Sequence, residues 1–205
     1  MSYMDDFCFH INNYFMVIDS SFNCVSNLHD SSFDSDKKVF VFDDENYNSM
    51  RVVSMDYICQ KGYKVIKGAI TKHLPNTVDA FLIDNSGFWY FIEFKNCAIS
   101  KKNDNIEKKG INNLLMLIDI LKHSGNKYNN FNVDPTLFIR EKCIFIVVVP
   151  QNADPYTAGK VKDCDKISEK YTPEFLEKFK EFYFKDAYVY TVEYFLQRFV
   201  KKFVF

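Results

Sequence analysis

The sequence predicts an α/β fold in which a mixed central β-sheet is flanked by α-helices. Two observations lead to this prediction. The run Cys143–Val149 is continuously apolar and rich in β-branched residues, which is typical of a strand buried on both faces. Segments with strand patterns also alternate along the chain with amphipathic helical segments, the longest of which ends near His123.

The composition fits a folded protein with nearly balanced charge. Of the 205 residues, 47% are hydrophobic and 26% are charged, and the net charge is -1. This balance excludes a general polycation, so binding to nucleic acid would require a local basic patch. Two lysine pairs are the candidates for such a patch, Lys101-Lys102 and Lys108-Lys109.

We expect two parts along the chain. Residues 1–43 mix an aromatic, apolar stretch with a polar, turn-rich one, which favours an appendage of short strands and loops packed on the core. The main domain, residues 44–205, is predicted to begin with a helix over 45–60 that has an aspartate cap and ends at Gly62. Residues 63–70 are predicted to form an edge strand.

The next signal is a β-hairpin. Two predicted strands, Val78–Asp84 and Phe88–Asn96, are joined by a three-residue loop that ends in Gly87, and such loops favour a left-handed glycine at their last position. This loop sets a register in which Asp79 lies opposite Glu93, with Cβ atoms about 5 Å apart. Two carboxylates at that separation repel each other, and a cation between them would relieve the repulsion.

A long helix follows the hairpin. Asp104 and Glu107 match the pattern of a capping box, and the helix is predicted to continue to about His123, with Gly125 past its end. Its predicted buried face consists of the following apolar residues: Ile111, Leu114, Leu115, Ile118 and Leu121.

The C-terminal third contributes further elements. Pro173 suits the first position of a helix that reaches about Phe184. A short strand over 188–191 and a last helix over 192–203 complete the order. The two Asp-Pro pairs, Asp134-Pro135 and Asp154-Pro155, are predicted to be turns.

Glu93 and Lys95 are charged residues inside an otherwise aromatic strand. Because alternate residues of a strand point to the same face, their side chains lie side by side. Burying a carboxylate and an ammonium group is costly unless they have partners or a task. With Asp79 on the preceding strand, we interpret that task as holding a divalent metal and activating a water molecule.

Glu93 and Lys95 lie on the second strand of a hairpin, after Asp79 on the first, and the hairpin is followed by an amphipathic helix and a buried strand. In this order they resemble the PD-(D/E)xK motif of the restriction-endonuclease-like superfamily, over roughly residues 44–200. The resemblance implies a restriction-endonuclease-like core and hydrolysis of phosphodiester bonds, of DNA rather than RNA. It also implies that Asp79 and Glu93 bind Mg²⁺, with Mn²⁺ as an alternative, and that Lys95 orients or activates the attacking water. The chain departs from the signature at Val78, which occupies the usual proline position.

Two further roles in that superfamily have more than one candidate here. Many members add an acid from the helix before the motif, for which Glu45 is the first choice and Asp56 the alternative. Many also add a polar or basic residue from the helix after it. Lys108 lies at the edge of the predicted buried face, whereas Lys109 fits a lysine pattern of some small bacterial members, so both are candidates.

A second class of function is also open, a protein that keeps this fold but serves as a non-catalytic binding or structural module. The set of Asp79, Glu93 and Lys95 favours the nuclease. The near-neutral charge and the lack of a recognisable DNA-reading domain favour the module, or a nuclease that works within a complex.

The last predicted helix is unusually aromatic, and core packing and a homodimer interface are both open explanations. Its aromatic residues are Tyr194, Phe195, Phe199, Phe203 and Phe205. The scattered cysteines and histidines lack zinc-ligand spacing. The cysteines are expected to be reduced thiols of a cytoplasmic protein. We expect neither a signal peptide nor a membrane partner.

Overall fold

A mixed six-stranded sheet forms the centre of the protein. The structure is a computed structural model that describes residues 2–68, 74–125 and 134–203. The strands of these residues are β1 (Val25–Asn27), β2 (Phe33–Asp34), β3 (Val39–Phe40), β4 (Arg51–Val53), β5 (Ala80–Ile83), β6 (Trp89–Phe94), β7 (Cys143–Val149) and β8 (Asp186–Thr191). The sheet order is β1-β4-β5-β6-β7-β8, and β2 and β3 form a separate two-stranded sheet. The pairs up to β5–β6 are antiparallel, whereas β6–β7 and β7–β8 are parallel.

Helices cover the sheet, so the predicted α/β class with a mixed sheet flanked by helices is confirmed. The helices of the described residues are α1 (Tyr3–Met16), α2 (Leu28–Ser31), α3 (Met55–Tyr57, continued by the π-helical Ile58–Tyr63 and by Lys64–Ile66), α4 (Asn103–His123), α5 (Pro135–Lys142), α6 (Pro155–Lys166), α7 (Glu174–Lys178, continued by the π-helical Phe179–Tyr183) and α8 (Val192–Arg198). Short 3₁₀ turns lie at Ile99–Lys101 and Val200–Lys202. Among the described residues, no helix has the length and apolar character that crossing a membrane would require.

The core has two parts, one on each face of the sheet, because successive side chains of a strand point to opposite faces. Helices α1, α3, α4 and α7 contribute to the first part, which also holds Trp89 and Phe91 of β6. The second part holds Ile92 and Phe94, together with Phe195 of α8. Glu93 alternates with these residues and therefore faces the α4 side of the sheet.

The β5–β6 hairpin has the predicted register. Ala80 pairs with Ile92 and Ile83 pairs with Trp89, which carries Asp79 to the position opposite Glu93. Gly87 closes the turn with a φ of 75°. The predicted strand Cys143–Val149 is confirmed as well, and all of its residues are buried.

The N-terminal segment is helical, so the short strand predicted near its start was wrong. Ser2 caps α1, since its side chain accepts from the Asp5 amide while the Asp5 carboxylate contacts the Ser2 amide. Phe7, Ile11 and Phe15 recur at helical spacing, and all three are fully buried in the first core part. Their 3.6-residue period was the signal that outweighed the high strand propensity of aromatic residues.

The predicted helix over 45–60 and the predicted strand over 63–70 were also wrong. Residues 45–49 form a turn, and β4 then inserts between β1 and β5 with Val53 as a shared pairing residue. Helix α3 begins only at Ser54, whose hydroxyl accepts from the Tyr57 amide. It runs through Gly62, where an added Cβ would lie 2.7 Å from the Phe15 ring. Gly62 therefore allows two helices to pack closely and does not end one; positions 69 and 70 lie outside the described residues.

Helix α4 ends at His123 as predicted, with Gly125 in the left-handed region, but its start and phase differ. Lys102 is the N-cap position and no capping box forms. The Glu107 carboxylate instead lies 2.5 Å from the Lys178 ammonium. Leu115, predicted to be buried, is 60% exposed, because the buried stripe passes through Leu114 and Leu117.

The two Asp-Pro pairs begin helices, so their prediction as simple turns was incomplete. Asp134 accepts from the Leu137 amide at 2.9 Å at the start of α5. Asp154 does the same for the Thr157 amide at 3.1 Å at the start of α6. Each proline takes the first helical position, where its missing N–H costs no hydrogen bond. Pro173 is itself the cap residue of α7, one position earlier in the helix than predicted.

The aromatic residues of the last helix are largely core residues. Phe195 and Phe199 are buried and stack with ring centroids 5.0 Å apart, and Phe203 packs on Phe199. Phe205 lies outside the described residues. Packing within the chain thus accounts for Phe195, Phe199 and Phe203, and the homodimer stays a prediction.

Candidate functional site

A polar cleft opens where β5 begins and β6 ends, on the α4 side of the sheet. Its volume is about 340 Å³, at the lower end of the range of small-ligand sites. Asp79 and Lys95 come from the two hairpin strands, Lys109 comes from α4, and Asp56 comes from the first turn of α3. The rim is formed by the turn between β2 and β3, where the Lys37 ammonium donates to the backbone carbonyl of Asn96.

Glu93 is the most unusual residue of this region because its carboxylate is fully buried. It lies behind the cleft wall, with Oε1 at 2.5 Å from Nζ of Lys95 and 2.9 Å from Nζ of Lys109. Both lysine contacts are ion pairs at Oε1, whereas the buried Oε2 has no hydrogen-bond partner among the described residues. A buried carboxylate oxygen without a partner is uncommon, which makes Glu93 a candidate for binding a further group.

Asp79 is tied to both sides of the cleft. Its Oδ2 accepts from the backbone amide of Phe94 at 2.7 Å, which fixes the carboxylate across the hairpin. Its Oδ1 lies 2.9 Å from Nζ of Lys109. Lys109 thus bridges the two carboxylates that the hairpin register places opposite each other.

Lys95 points along the same face as Glu93. Its ammonium contacts Glu93 and donates to Oδ1 of Asn105 at 3.2 Å. The side chain is 14% exposed, so it can also reach into the cleft. Sequence analysis did not identify Asn105, although it lies four residues before Lys109 and therefore on the same face of α4.

Asp56 completes the set, whereas Glu45 does not belong to it. The Asp56 carboxylate accepts from the Thr77 hydroxyl at the cleft. Glu45, the first choice for the helix acid, is an exposed turn residue and does not line the cleft. Asp56, the alternative, does line the cleft.

The structure also shows which of the two lysines, Lys108 and Lys109, lies at the cleft. Lys109 is largely buried and contacts both Asp79 and Glu93, whereas Lys108 is exposed and does not line the cleft. Helical phase pointed to Lys108 because the buried stripe of α4 was predicted one residue out of phase near Leu115.

The electrostatics follow from burial. The pKa of Glu93 is raised to about 7, because burial and, to a smaller extent, the charge of Asp79 raise it by more than the two lysines lower it. Burial lowers the pKa of Lys109, but attraction to Glu93 and Asp79 outweighs this effect, so its pKa is raised. Asp56 is open to the cleft, yet the surrounding protein desolvates its carboxyl and raises its pKa, while the Thr77 hydrogen bond opposes the rise.

The donor atoms suit a hard divalent cation, but their present arrangement does not form a cage. Carboxylate oxygens are the ligands that Mg²⁺ prefers, and Glu93 has an oxygen without a partner. However, within residues 2–68, 74–125 and 134–203 no group of three or more His, Cys, Asp or Glu side chains is arranged to hold a metal. Lys109 occupies the position between Asp79 and Glu93.

A larger cleft, of about 610 Å³, lies on the opposite face of the sheet. Its walls include the aromatic rings of Tyr90, Tyr188 and Phe199. Three of its basic residues, Arg51, Lys170 and Arg198, are paired with carboxylates, as in the bidentate contact of Arg198 with Asp165 at 2.9 Å. Because it lacks a buried carboxylate with an open oxygen, the smaller cleft is the better candidate site.

Comparisons with known proteins add no family to these findings. No protein-family model, no curated protein and no solved structure matches the chain. The functional conclusion therefore depends on the residues of the cleft.

Proposed function

We propose that this protein hydrolyses phosphodiester bonds of nucleic acid, with DNA as the first substrate to test, using Mg²⁺ or Mn²⁺. The observation that supports the proposal is the convergence of Asp79, Glu93 and Lys95 at one cleft, with Glu93 fully buried and one of its carboxylate oxygens without a partner. The resemblance of the hairpin and its flanking elements to PD-(D/E)xK nucleases points to the same chemistry.

In this proposal the carboxylates of Asp79 and Glu93 would hold the metal, and Asp56, which lines the same cleft, would be a further oxygen donor. When bound, the metal neutralises charge on the phosphate and lowers the pKa of a coordinated water. The Phe94 amide keeps Asp79 oriented during this step. Asn105 holds the Lys95 ammonium at the cleft wall.

Lys95 has two possible tasks that its geometry supports. Its ammonium can orient the attacking water by donating a hydrogen bond, or it can stabilise negative charge on the phosphate in the transition state. Both tasks require the ammonium at the cleft surface, where Asn105 holds it. Replacing Lys95 by methionine keeps the stem and removes both tasks.

The alternative is a non-catalytic binding or structural protein with the same fold. One observation favours it. Lys109 already neutralises Asp79 and Glu93, so the arrangement is stable without a metal. In that case the charged side chains of the cleft would stabilise the packing of the protein and would not take part in catalysis.

Cleavage assays decide between the two. The purified protein should cleave single- or double-stranded DNA, or RNA, in Mg²⁺ or Mn²⁺ and not in EDTA. Glu93→Gln, Asp79→Asn and Lys95→Met should each reduce the rate by about a hundredfold or more. Lys122→Met, an exposed change at the far end of α4, should leave it unchanged. Cleavage that persists in Glu93→Gln, or no cleavage by the wild-type chain on any of these substrates, contradicts the proposal.

A further inference from the structure

Lys109 occupies the place where a cation shared by two carboxylates would bind. Its ammonium lies 2.9 Å from Oδ1 of Asp79 and 2.9 Å from Oε1 of Glu93. Lys95 differs, because it contacts Glu93 and Asn105 but not Asp79. Lys109 is therefore the internal counterion of the pair that the hairpin register brings together.

The backbone of Lys109 is fixed by its neighbours. The Asn113 side chain donates to the Lys109 carbonyl at 2.8 Å. Gly110 lies so close to Phe179 that an added Cβ would approach the ring to 2.4 Å. Helix α4 is thus held against the sheet, and any movement of the Lys109 ammonium must come from its side chain.

The side chain has room to move. Lys109 lines the cleft and is 16% exposed, and its four-carbon stem has several rotatable bonds. Rotation toward the cleft would carry the ammonium away from Asp79 and Glu93 without displacing α4. The open oxygen of fully buried Glu93 would then become reachable from the cleft.

We propose, on the basis of the proposed function, that Lys109 competes with the divalent cation for Asp79 and Glu93 and so sets the metal affinity of the site. The metal-free site is closed by the protein's own ammonium group. Metal binding requires the Lys109 ammonium group to rotate into the cleft, where it can donate a hydrogen bond to a phosphate of the nucleic acid. Lys109 is then a positioning residue that links the arrival of the substrate to the loading of the metal.

Isothermal titration with Mn²⁺ and Mg²⁺ alone, at pH 8.5, tests this inference. Lys109→Met should bind the metal at least about tenfold more tightly than the wild-type chain, because a nearby positive charge is removed. Lys109→Arg, which keeps the charge, should retain the weak wild-type affinity. Lys122→Met should also match the wild type, and Lys109→Met combined with Glu93→Gln should lose the gain.

An affinity of Lys109→Met that equals or falls below that of the wild type would overturn the inference. Circular dichroism and thermal unfolding check that the variants are folded. Lys109→Gln, which can donate to both carboxylates without charge, is a second test with the same expected gain in affinity. If Lys109→Met does not fold, the result for Lys109→Gln decides.

The same proteins separate this inference from the proposed function. Cleavage by the wild type without a gain in affinity in Lys109→Met and Lys109→Gln leaves the function standing and removes the role of Lys109 as competitor. A gain in affinity in these variants, without cleavage by the metal-saturated wild type, supports the role of Lys109 as competitor and contradicts the proposed function.

Discussion

The β5–β6 hairpin has carboxylates at both ends, and they are satisfied in different ways. At the turn, Asp84 accepts from the amides of Ser86 and Phe88, at 2.8 and 2.9 Å, and from the Tyr90 hydroxyl at 2.9 Å. At the open end, Glu93 is fully buried and faces two ammonium groups without hydrogen-bond geometry. At the turn, uncharged donors satisfy the carboxylate with three hydrogen bonds. At the open end, the carboxylate is stabilised by the charge of two ammonium groups.

The sequence separation of the partners shows why the two ends differ. All three Asp84 partners lie within six residues, so the turn is a local structure. Asp79 and Lys109 are 30 residues apart and meet only when α4 packs on the sheet. The turn stabilises the hairpin register, and the open end uses that register to assemble a cleft.

The largest effect expected from this contrast is the loss of stability in Lys109→Met. Without metal at pH 8, the change leaves Asp79 without a cation and buried Glu93 with Lys95 alone, which should cost about 3–5 kcal/mol of unfolding free energy. Lys108→Met, an exposed neighbour, should change it by less than about 0.5 kcal/mol. Urea denaturation measures both. Equal small effects in the two variants would show that the open end is no more dependent on charge than the helix surface.

The next effect is a pH dependence that belongs to Glu93. Burial raises its pKa from 4.5 to about 7, so the folded state binds the proton more tightly than the unfolded state. The resulting stability is fully present below pH 4.5 and is lost as the pH rises through 7. This shift corresponds to about 3 kcal/mol between pH 4.5 and pH 8.

Denaturation in EDTA at pH 4.5, 6, 7 and 8 measures this dependence. In Glu93→Gln, where the side chain no longer titrates, the fall in stability between pH 4.5 and 8 should be smaller by about that amount. An identical fall in the wild type and the variant would assign the pH dependence to other groups and weaken the contrast between the two ends.

A third effect tests how α4 is positioned. An added Cβ at Gly110 would lie 2.4 Å from the Phe179 ring and 3.3 Å from that of Phe145, so Gly110→Ala should destabilise the protein by about 2 kcal/mol. Gly159→Ala in α6 is the matched control, since an added Cβ there meets nothing within 4 Å. It should stabilise by about 0.5–1 kcal/mol through helix propensity. A stabilised Gly110→Ala, measured by thermal unfolding, would rule out this close packing beneath Lys109.

The difference between local contacts and contacts of residues distant along the chain also explains how much of the structure could be predicted from the sequence. The hairpin, its glycine turn and the facing positions of Asp79 and Glu93 depend on local rules and were predicted. The choice of Asp56 over Glu45 could not be made, because β4 exists only through pairing with β1 and β5.

Which of Lys108 and Lys109 reaches the cleft was left open by the sequence for a related reason. It depended on the phase of α4, which is set by its packing on Phe145 and Phe179 and not by its own sequence. Residues whose partners are distant along the chain are therefore the ones that required the structure.

The smallest effect is expected at the turn. Asp84→Ala removes an acceptor from three neutral donors and should cost about 1 kcal/mol. Asp84→Asn, which keeps an acceptor oxygen for the two backbone amides, should cost less. Both variants should retain the metal affinity and cleavage rate of the wild type, because Asp84 lies at the opposite end of the hairpin from the cleft. Denaturation and metal titration together test this; a loss of several kcal/mol, or an altered metal affinity, would mean that the turn and the cleft are coupled through the strands and are not separate parts of one hairpin.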